Sequence, residues 1–307
     1  MKRVVAVLNP ARPHTALVAA EIRRVCRAQV WETPQVFLTT VAEPGGPQAR
    51  DALAGGADLV VVAGGDGTVR EVATAMAGSG VPLGIVPLGT ANLFARNLGL
   101  PLRRHREAVR RALHGTPVPV DLGRVRLTTL TGQVHDQAFL VLVGLGHDAE
   151  TVARTRESLK HRVGWLAYFE PGMRRLGSPL LPMTLALDGG QPHEVRAWSV
   201  LVGNCGRIPL GIEVMPRARV DDGLLDVALV HPRTLLQWLP IALTGLTHWR
   251  LHVPGLDYRQ VRTARLGTPA PLTAQLDGDP VPDVVALDVG VEPGALLVAG
   301  AAQSRHA

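Results

Sequence analysis

The chain of 307 residues is 46% hydrophobic and 19% charged, which is enough apolar content for a core and excludes a disordered chain. Its net charge of +6 comes almost wholly from arginine, because Lys2 and Lys160 are the only lysines; guanidinium groups grip phosphates and carboxylates, so anionic partners are favoured. Cys26 and Cys205 cannot build a disulfide framework, and the absence of GxxxxGK[ST] excludes a P-loop NTPase.

In chain order, residues 4–8 form a continuous apolar run stopped by Asn9-Pro10, which predicts a buried strand. A helix is expected over 15–29, a strand over 36–39 and a short helix over 47–54. The run 59–63 is wholly apolar and predicts a strand buried on both faces. Helix-period residues follow at 68–77, then a strand at 83–86 and a helix at about 90–97. Strands alternating with helices predict a parallel sheet covered on both sides. After Gly115-Thr116-Pro117 the texture becomes β-rich, with strands expected at 118–127, 134–143, 183–187, 195–203, 224–230, 258–266, 271–276 and 284–289 and a helical stretch over 147–177. The apolar run at the start is too short for a signal-peptide core, and no run reaches the ~18 residues of a membrane span. A reducing, cytoplasmic setting is the expectation.

The stretch Gly64-Gly65-Asp66-Gly67-Thr68 carries the most chemistry. A buried strand runs into three glycines, which permit positive φ and close approach of a phosphate, and a helix start offers free N–H groups to an anion. Thr68 is expected to cap that helix. Asp66 has no evident fold role and is expected to face Mg²⁺ beside a triphosphate. The segment Pro87-Leu88-Gly89-Thr90-Ala91-Asn92 repeats strand, glycine turn and helix start, and Asn9-Pro10 ends the first strand. In a parallel open sheet such loops share the carboxyl edge, where ligands bind. Far along the chain, Asp277-Gly278-Asp279 sets two acids two residues apart, facing one side if the segment is extended. One could take a hydroxyl proton while the other faces a metal; a plain hairpin turn is the alternative.

These residues resemble the diacylglycerol kinase catalytic-domain family, shared with sphingosine kinases and bacterial lipid kinases. The resemblance rests on GGDGTVREV and PLGTANLFARNLGLP, then on Pro119-Val120-Asp121-Leu122-Gly123, residues 144–149, residues 222–227 and Leu276-Asp277-Gly278-Asp279. NAD kinases share the first turn but not the second segment. The family implies a three-layer α/β, Rossmann-like kinase domain with a C-terminal β-sandwich: here 1–120, completed by 291–307, and 121–290. It further implies transfer of the ATP γ-phosphate to a diacylglycerol- or sphingosine-like lipid hydroxyl, with ATP in a cleft between the domains. Asn9, Thr40, Gly65, Asp66, Gly67, Thr68, Glu71 and Thr90 occupy the family's nucleotide positions, Thr39 competing with Thr40. By the same resemblance, a structural Mg²⁺ would be held by the Asp222 carboxylate and the carbonyls of Arg219 and Leu224. Asp277 is read as base and Asp279 as its metal-side partner, with the reverse order open. The implied partner is a lipid at an anionic membrane surface, not a nucleic acid, and a homodimer is left open.

The chain departs from the family at two places. Leu93 stands where an Asp is usual, which would break a carboxylate network near the acceptor, and the first loop reads Asn9-Pro10-Ala11-Arg12-Pro13-His14 instead of being glycine-rich. Arg12 could still reach a phosphate. The alternatives are a kinase for a soluble acceptor such as NAD, or a nucleotide- or lipid-binding regulator without catalysis. Other signals carry less. Residues 144–149 fit GxGxxA without the rest of a dinucleotide fold. His248 and His252 lack a third metal ligand. The arginines of 102–113 read as a solvated face, with anionic headgroups as the alternative. The apolar run 235–243 reads as a core helix, with a lipid mouth as the alternative, and 161–176 is a second candidate for that mouth.

Overall fold

The computed structural model describes residues 1–149, 176–208, 213–247 and 253–302, with the side chains of 242 and 244–247 excepted. The chain divides into two compact units. The first comprises Met1–Leu122, Val220–Asp222 and Pro293–Ala307; the second comprises Gly123–Arg219 and Gly223–Glu292.

Unit 1 is built on β1 (Val4–Leu8), β2 (Gln35–Leu38), β3 (Leu59–Gly64) and β4 (Pro82–Pro87), which pair in parallel in the order β2-β1-β3-β4. Every residue of β1 and β3 is buried, as a strand covered on both faces requires. Helix α1 (Thr15–Ala28) lays Val18, Ile22 and Cys26 on the even-numbered side of β1, together with Ala108, Val109 and Leu113 of α5 (His105–His114). Helix α5 packs so closely on β4 that a Cβ at Gly84 would lie 2.7 Å from Ala112. Helices α2 (Gly46–Ala54) and α3 (Asp66–Met76) pack on one another, with Ala49, Ala52, Val72 and Met76 buried. The short helix α4 (Leu93–Asn97) follows β4 and buries Phe94.

Unit 2 is antiparallel. It contains β6 (Val134–Phe139), β7 (Leu142–Gly146), β8 (Leu181–Leu187), β9 (His193–Ala197), β10 (Ser199–Gly203), β11 (Leu225–Val230), β12 (Leu256–Val261) and β13 (Thr263–Leu276). Strands pair in the order β12-β11-β10-β7-β13. Register shifts between Gly267 and Ala274 bend β13, so its first half pairs with β8 and its last residues with β7. One strand thus serves both faces around a core that includes Phe139, Val143, Val202, Leu266 and Leu276. Helix α6 (Trp238–Thr247) follows a 3-10 turn at Leu235–Gln237.

Two strands belong to both units. Strand β5 (Pro117–Thr129) pairs with β6 from Gly123 onward. Strand β14 (Asp279–Ala299) pairs antiparallel with β13 and ends with Leu297 and Val298 parallel to β4. The strand expected at 284–289 therefore runs on into the C-terminal segment that completes the first domain. Buried Asp121 fixes the return of the chain to unit 1: its amide donates to the Val220 carbonyl at 2.7 Å, and its carboxylate accepts from the Gly294 amide at 2.7 Å.

Candidate active site

The two glycine turns of unit 1 lie against one another. The Leu88 amide donates to the Gly64 carbonyl at 2.8 Å, carrying the β3–β4 pairing into the turns. A Cβ at Gly89 would lie 2.7 Å from the Gly65 Cα, and one at Gly64 would lie 2.7 Å from the Thr68 Cβ. None of Gly64, Gly65, Gly67 and Gly89 has positive φ. The expectation of left-handed glycines is thus replaced by close approach: these residues lack side chains because two backbones meet. Gly67, in the first turn of α3, has nothing within 4 Å of its would-be Cβ, so that face is open.

Asp66 departs from the sequence expectation. Its carboxylate accepts the amides of Asn92 at 2.9 Å and Leu93 at 2.6 Å, at the start of α4. Burial raises its pKa, opposed by the amides of Leu93, Asn92 and Phe94. Asp66 therefore has a fold role, joining the two turns, and its oxygens are not simply free for a cation. Asn92, at φ 48°, completes the junction: its side-chain oxygen accepts from the Gly89 amide at 2.8 Å, and its amide nitrogen donates to the Gly89 carbonyl at 2.7 Å. This residue was not among the sequence candidates, although a polar Asn ahead of a short helix is a turn signal.

Thr68 does not cap α3. The cap position is Gly65 in extended backbone, and buried Thr68 accepts a hydrogen bond from the Asn9 side-chain amide at 3.1 Å. That contact ties the end of β1 to α3. From the same loop, Arg12 extends its guanidinium over the glycines; a Cβ at Gly65 would lie 3.2 Å from one of its terminal nitrogens. A guanidinium, a helix start and the open face at Gly67 are thus assembled together.

The remaining nucleotide candidates are Thr40, Glu71 and Thr90. Thr40 is exposed and its hydroxyl accepts from the Glu43 amide at 3.0 Å, whereas Thr39 is buried and its amide donates to Leu8 at 2.9 Å. Of the two threonines, Thr40 is the accessible one. Glu71 lies beside the start of α2, where a Cβ at Gly46 would be 3.6 Å from its carboxylate. Thr90 is exposed beside Gly89.

In unit 2, residues 276–279 form a two-residue hairpin, with Leu276 paired to Asp279 and left-handed Asp277 (φ 48°) and Gly278 (φ 84°) at its tip. The expected extended arrangement of the acids does not occur. Both oxygens of Asp277 are taken by backbone amides, from Leu140 at 2.9 Å, Val141 at 2.8 Å and Leu142 at 3.0 Å. Asp277 is thereby a clamp on the segment leading into β7, and Asp279 is the half-buried acid at the start of β14.

The residues read as a metal set, Arg219, Asp222 and Leu224, fall in the turn before β11, where Gly223 has φ 71°. The set offers one carboxylate and two carbonyls, the oxygen chemistry that Mg²⁺ accepts. Among the described residues, no three His, Cys, Asp or Glu side chains converge as a metal cluster. Gly144 is explained by Asp148 rather than by a dinucleotide: a Cβ there would collide with the Asp148 carboxyl, which accepts from the Ser199 hydroxyl at 2.6 Å. His248 and His252, and nearly all of 161–176, lie outside the described residues.

Two families match the chain: the diacylglycerol kinase catalytic domain over residues 3–125, and the YegS C-terminal NAD kinase beta sandwich-like domain over residues 141–300. A probable lipid kinase YegS-like protein of Pseudomonas aeruginosa is 33% identical over 91% of this chain and 89% of its own. The chain belongs to the diacylglycerol kinase catalytic-domain family. A diacylglycerol kinase of Bacillus subtilis is 26% identical over 91% of this chain and 90% of its own. A crystal structure described as a putative diacylglycerol kinase from Bacillus anthracis shares the fold, with TM-score 0.72, 22% identity and 97% coverage of both chains. This lipid-kinase family places the chain among the phosphotransferases and implies ATP as donor. The start of α3 fits such a donor, because the face at Gly67 is open beside the Arg12 guanidinium.

Proposed function

We propose that the protein transfers the γ-phosphate of ATP to a lipid hydroxyl of diacylglycerol or sphingoid type. The observation that carries this reading is the close approach of Gly65 and Gly89 beneath the Arg12 guanidinium at the start of α3. The exposed backbone of Gly67, a helix start and an arginine suit a polyphosphate. In this chain, Arg12 supplies from the first loop a charge that a glycine-rich loop would not.

Asp279 is assigned as the base, because both oxygens of Asp277 already serve the amides of 140–142. As the acceptor oxygen forms its bond to the γ-phosphorus, the bond to the ADP oxygen breaks and the hydroxyl proton passes to the Asp279 carboxylate. Mg²⁺, when bound with ATP, would neutralise phosphate charge. Asp222 with the carbonyls of Arg219 and Leu224 is the proposed structural set, and Asp66 contributes by holding the two turns together.

The test offers [γ-³²P]ATP with detergent-dispersed diacylglycerol, a sphingoid base or NAD, alongside direct titration of ATP. Label is expected in one of the lipids, and Arg12→Ala is expected to weaken ATP binding on the order of 10-fold with the melting temperature unchanged. Label in NAD alone would replace the reading with a soluble-acceptor kinase. Tight ATP binding without label in any acceptor would favour a non-catalytic regulator.

A further inference from the structure

Helix α6 and the 3-10 turn before it are apolar on two sides. Trp238 and Ile241 face inward onto a cluster with Trp198, Val230 and Leu256, and the Trp198 and Trp238 rings meet edge-on at 4.9 Å. The Trp238 indole N–H donates to the Leu176 carbonyl at 2.8 Å. The inward face is therefore packed and its polar group satisfied. The other side carries Leu235, Leu236, Leu239 and Leu243, exposed by 66%, 84%, 65% and 43%. Leu235, Leu239 and Leu243 recur every four residues, so they share one stripe. This contradicts the core-helix expectation for 235–243. A solvent-facing helix ordinarily turns charges outward, yet residues 234–247 contain none.

The surrounding sequence decides among occupants. From Val227 to Leu256 there is no Asp or Glu, while Arg233 and Arg250 bracket the apolar run. Arg233 is exposed two residues before Leu235. An apolar stripe with exposed Arg233 at its start, in an acid-free stretch of sequence, complements a bilayer with anionic headgroups, which takes leucines into its acyl boundary and cations at its surface. A second copy of this chain would bring two such arginines together.

We propose that the face formed by Leu235, Leu236, Leu239 and Leu243 docks the protein on an anionic lipid bilayer. The choice of a bilayer draws on the lipid-acceptor reading, but docking is measured without ATP or acceptor, so the two can fail separately. The experiment cosediments the full-length protein with phosphatidylcholine vesicles and with vesicles containing phosphatidylglycerol. Wild type should bind the anionic vesicles more tightly, and added salt should weaken it. The triple variant Leu235→Ser, Leu236→Ser, Leu239→Ser should lose on the order of 10-fold or more of vesicle partitioning, with its melting temperature and ATP binding retained. Leu236→Trp should partition more tightly than wild type and shift its fluorescence to the blue on binding. Unchanged partitioning in both variants overturns the proposal, as does equal binding to neutral and anionic vesicles. A dimer of wild type that the triple variant dissociates, with vesicle binding unaltered, would assign the face to a second copy instead.

Discussion

The two acidic glycine turns look alike in sequence and behave differently in the fold. In each, the first acid is engaged by backbone: Asp66 by two amides at the start of α4, and Asp277 by three amides ahead of β7. Their glycines differ. Gly65 and Gly89 are required by close approach and have no left-handed φ, whereas Gly278 supplies the left-handed turn with nothing within 4 Å of its would-be Cβ. A carboxylate beside glycine is thus first a staple for a loop: in unit 1 it joins the two glycine turns, and in unit 2 it holds residues 140–142 ahead of β7.

The sharpest way to break this comparison is to exchange the roles of the two late acids. Asp279→Asn is expected to lower kcat by ~10²–10⁴ with little change in melting temperature. Asp277→Asn turns an amide donor toward backbone N–H groups and should cost about 1–3 kcal/mol of stability, read by thermal melting. If Asp277→Asn kept its stability while Asp279→Asn kept its rate, the assignment would be reversed. The glycines give the next largest contrast. Gly89→Ala places a Cβ 2.7 Å from the Gly65 Cα and should cost ~1–3 kcal/mol along with ATP binding. Gly67→Ala meets nothing and should gain up to ~1 kcal/mol of helix stability. Equal melting temperatures for the two variants would show that the turns do not touch.

The smallest expected effect is a pH dependence. Burial raises the Asp66 pKa above its ordinary 3.8, so between that value and the raised one the folded state binds more protons than the unfolded state. Stability should therefore fall as pH rises through this window and stay level above it. Asp66→Asn should lack that decline when its denaturant unfolding curves are subtracted from those of wild type. An identical decline in the variant would mean that another group titrates, and Asp148, whose pKa burial also raises, would be the next to replace.

The parallel half of the fold is legible because its signals are local: β1 and β3 are wholly apolar, and each turn names its own glycine. The β-rich half is harder to read. The expected strand over 195–203 divides at Trp198 into β9 and β10, and β14 continues through Pro280, Pro282 and Gly294, residues that read as strand breaks. The run 235–243 illustrates the same limit, since hydrophobicity reports that a segment avoids water but not whether protein covers it.

By itself, the sequence determined the alternation of strands and helices in the first half of the chain, the two glycine turns, the late Asp-Gly-Asp and the family that owns them. Only the tertiary structure decided that Asp66 and Asp277 spend their oxygens on amides 26 and about 136 residues away, and that Arg12 lies over Gly65. The physical reason is that propensity and periodicity act over a few neighbours. A hydrogen bond between distant segments exists only once both have been folded into place.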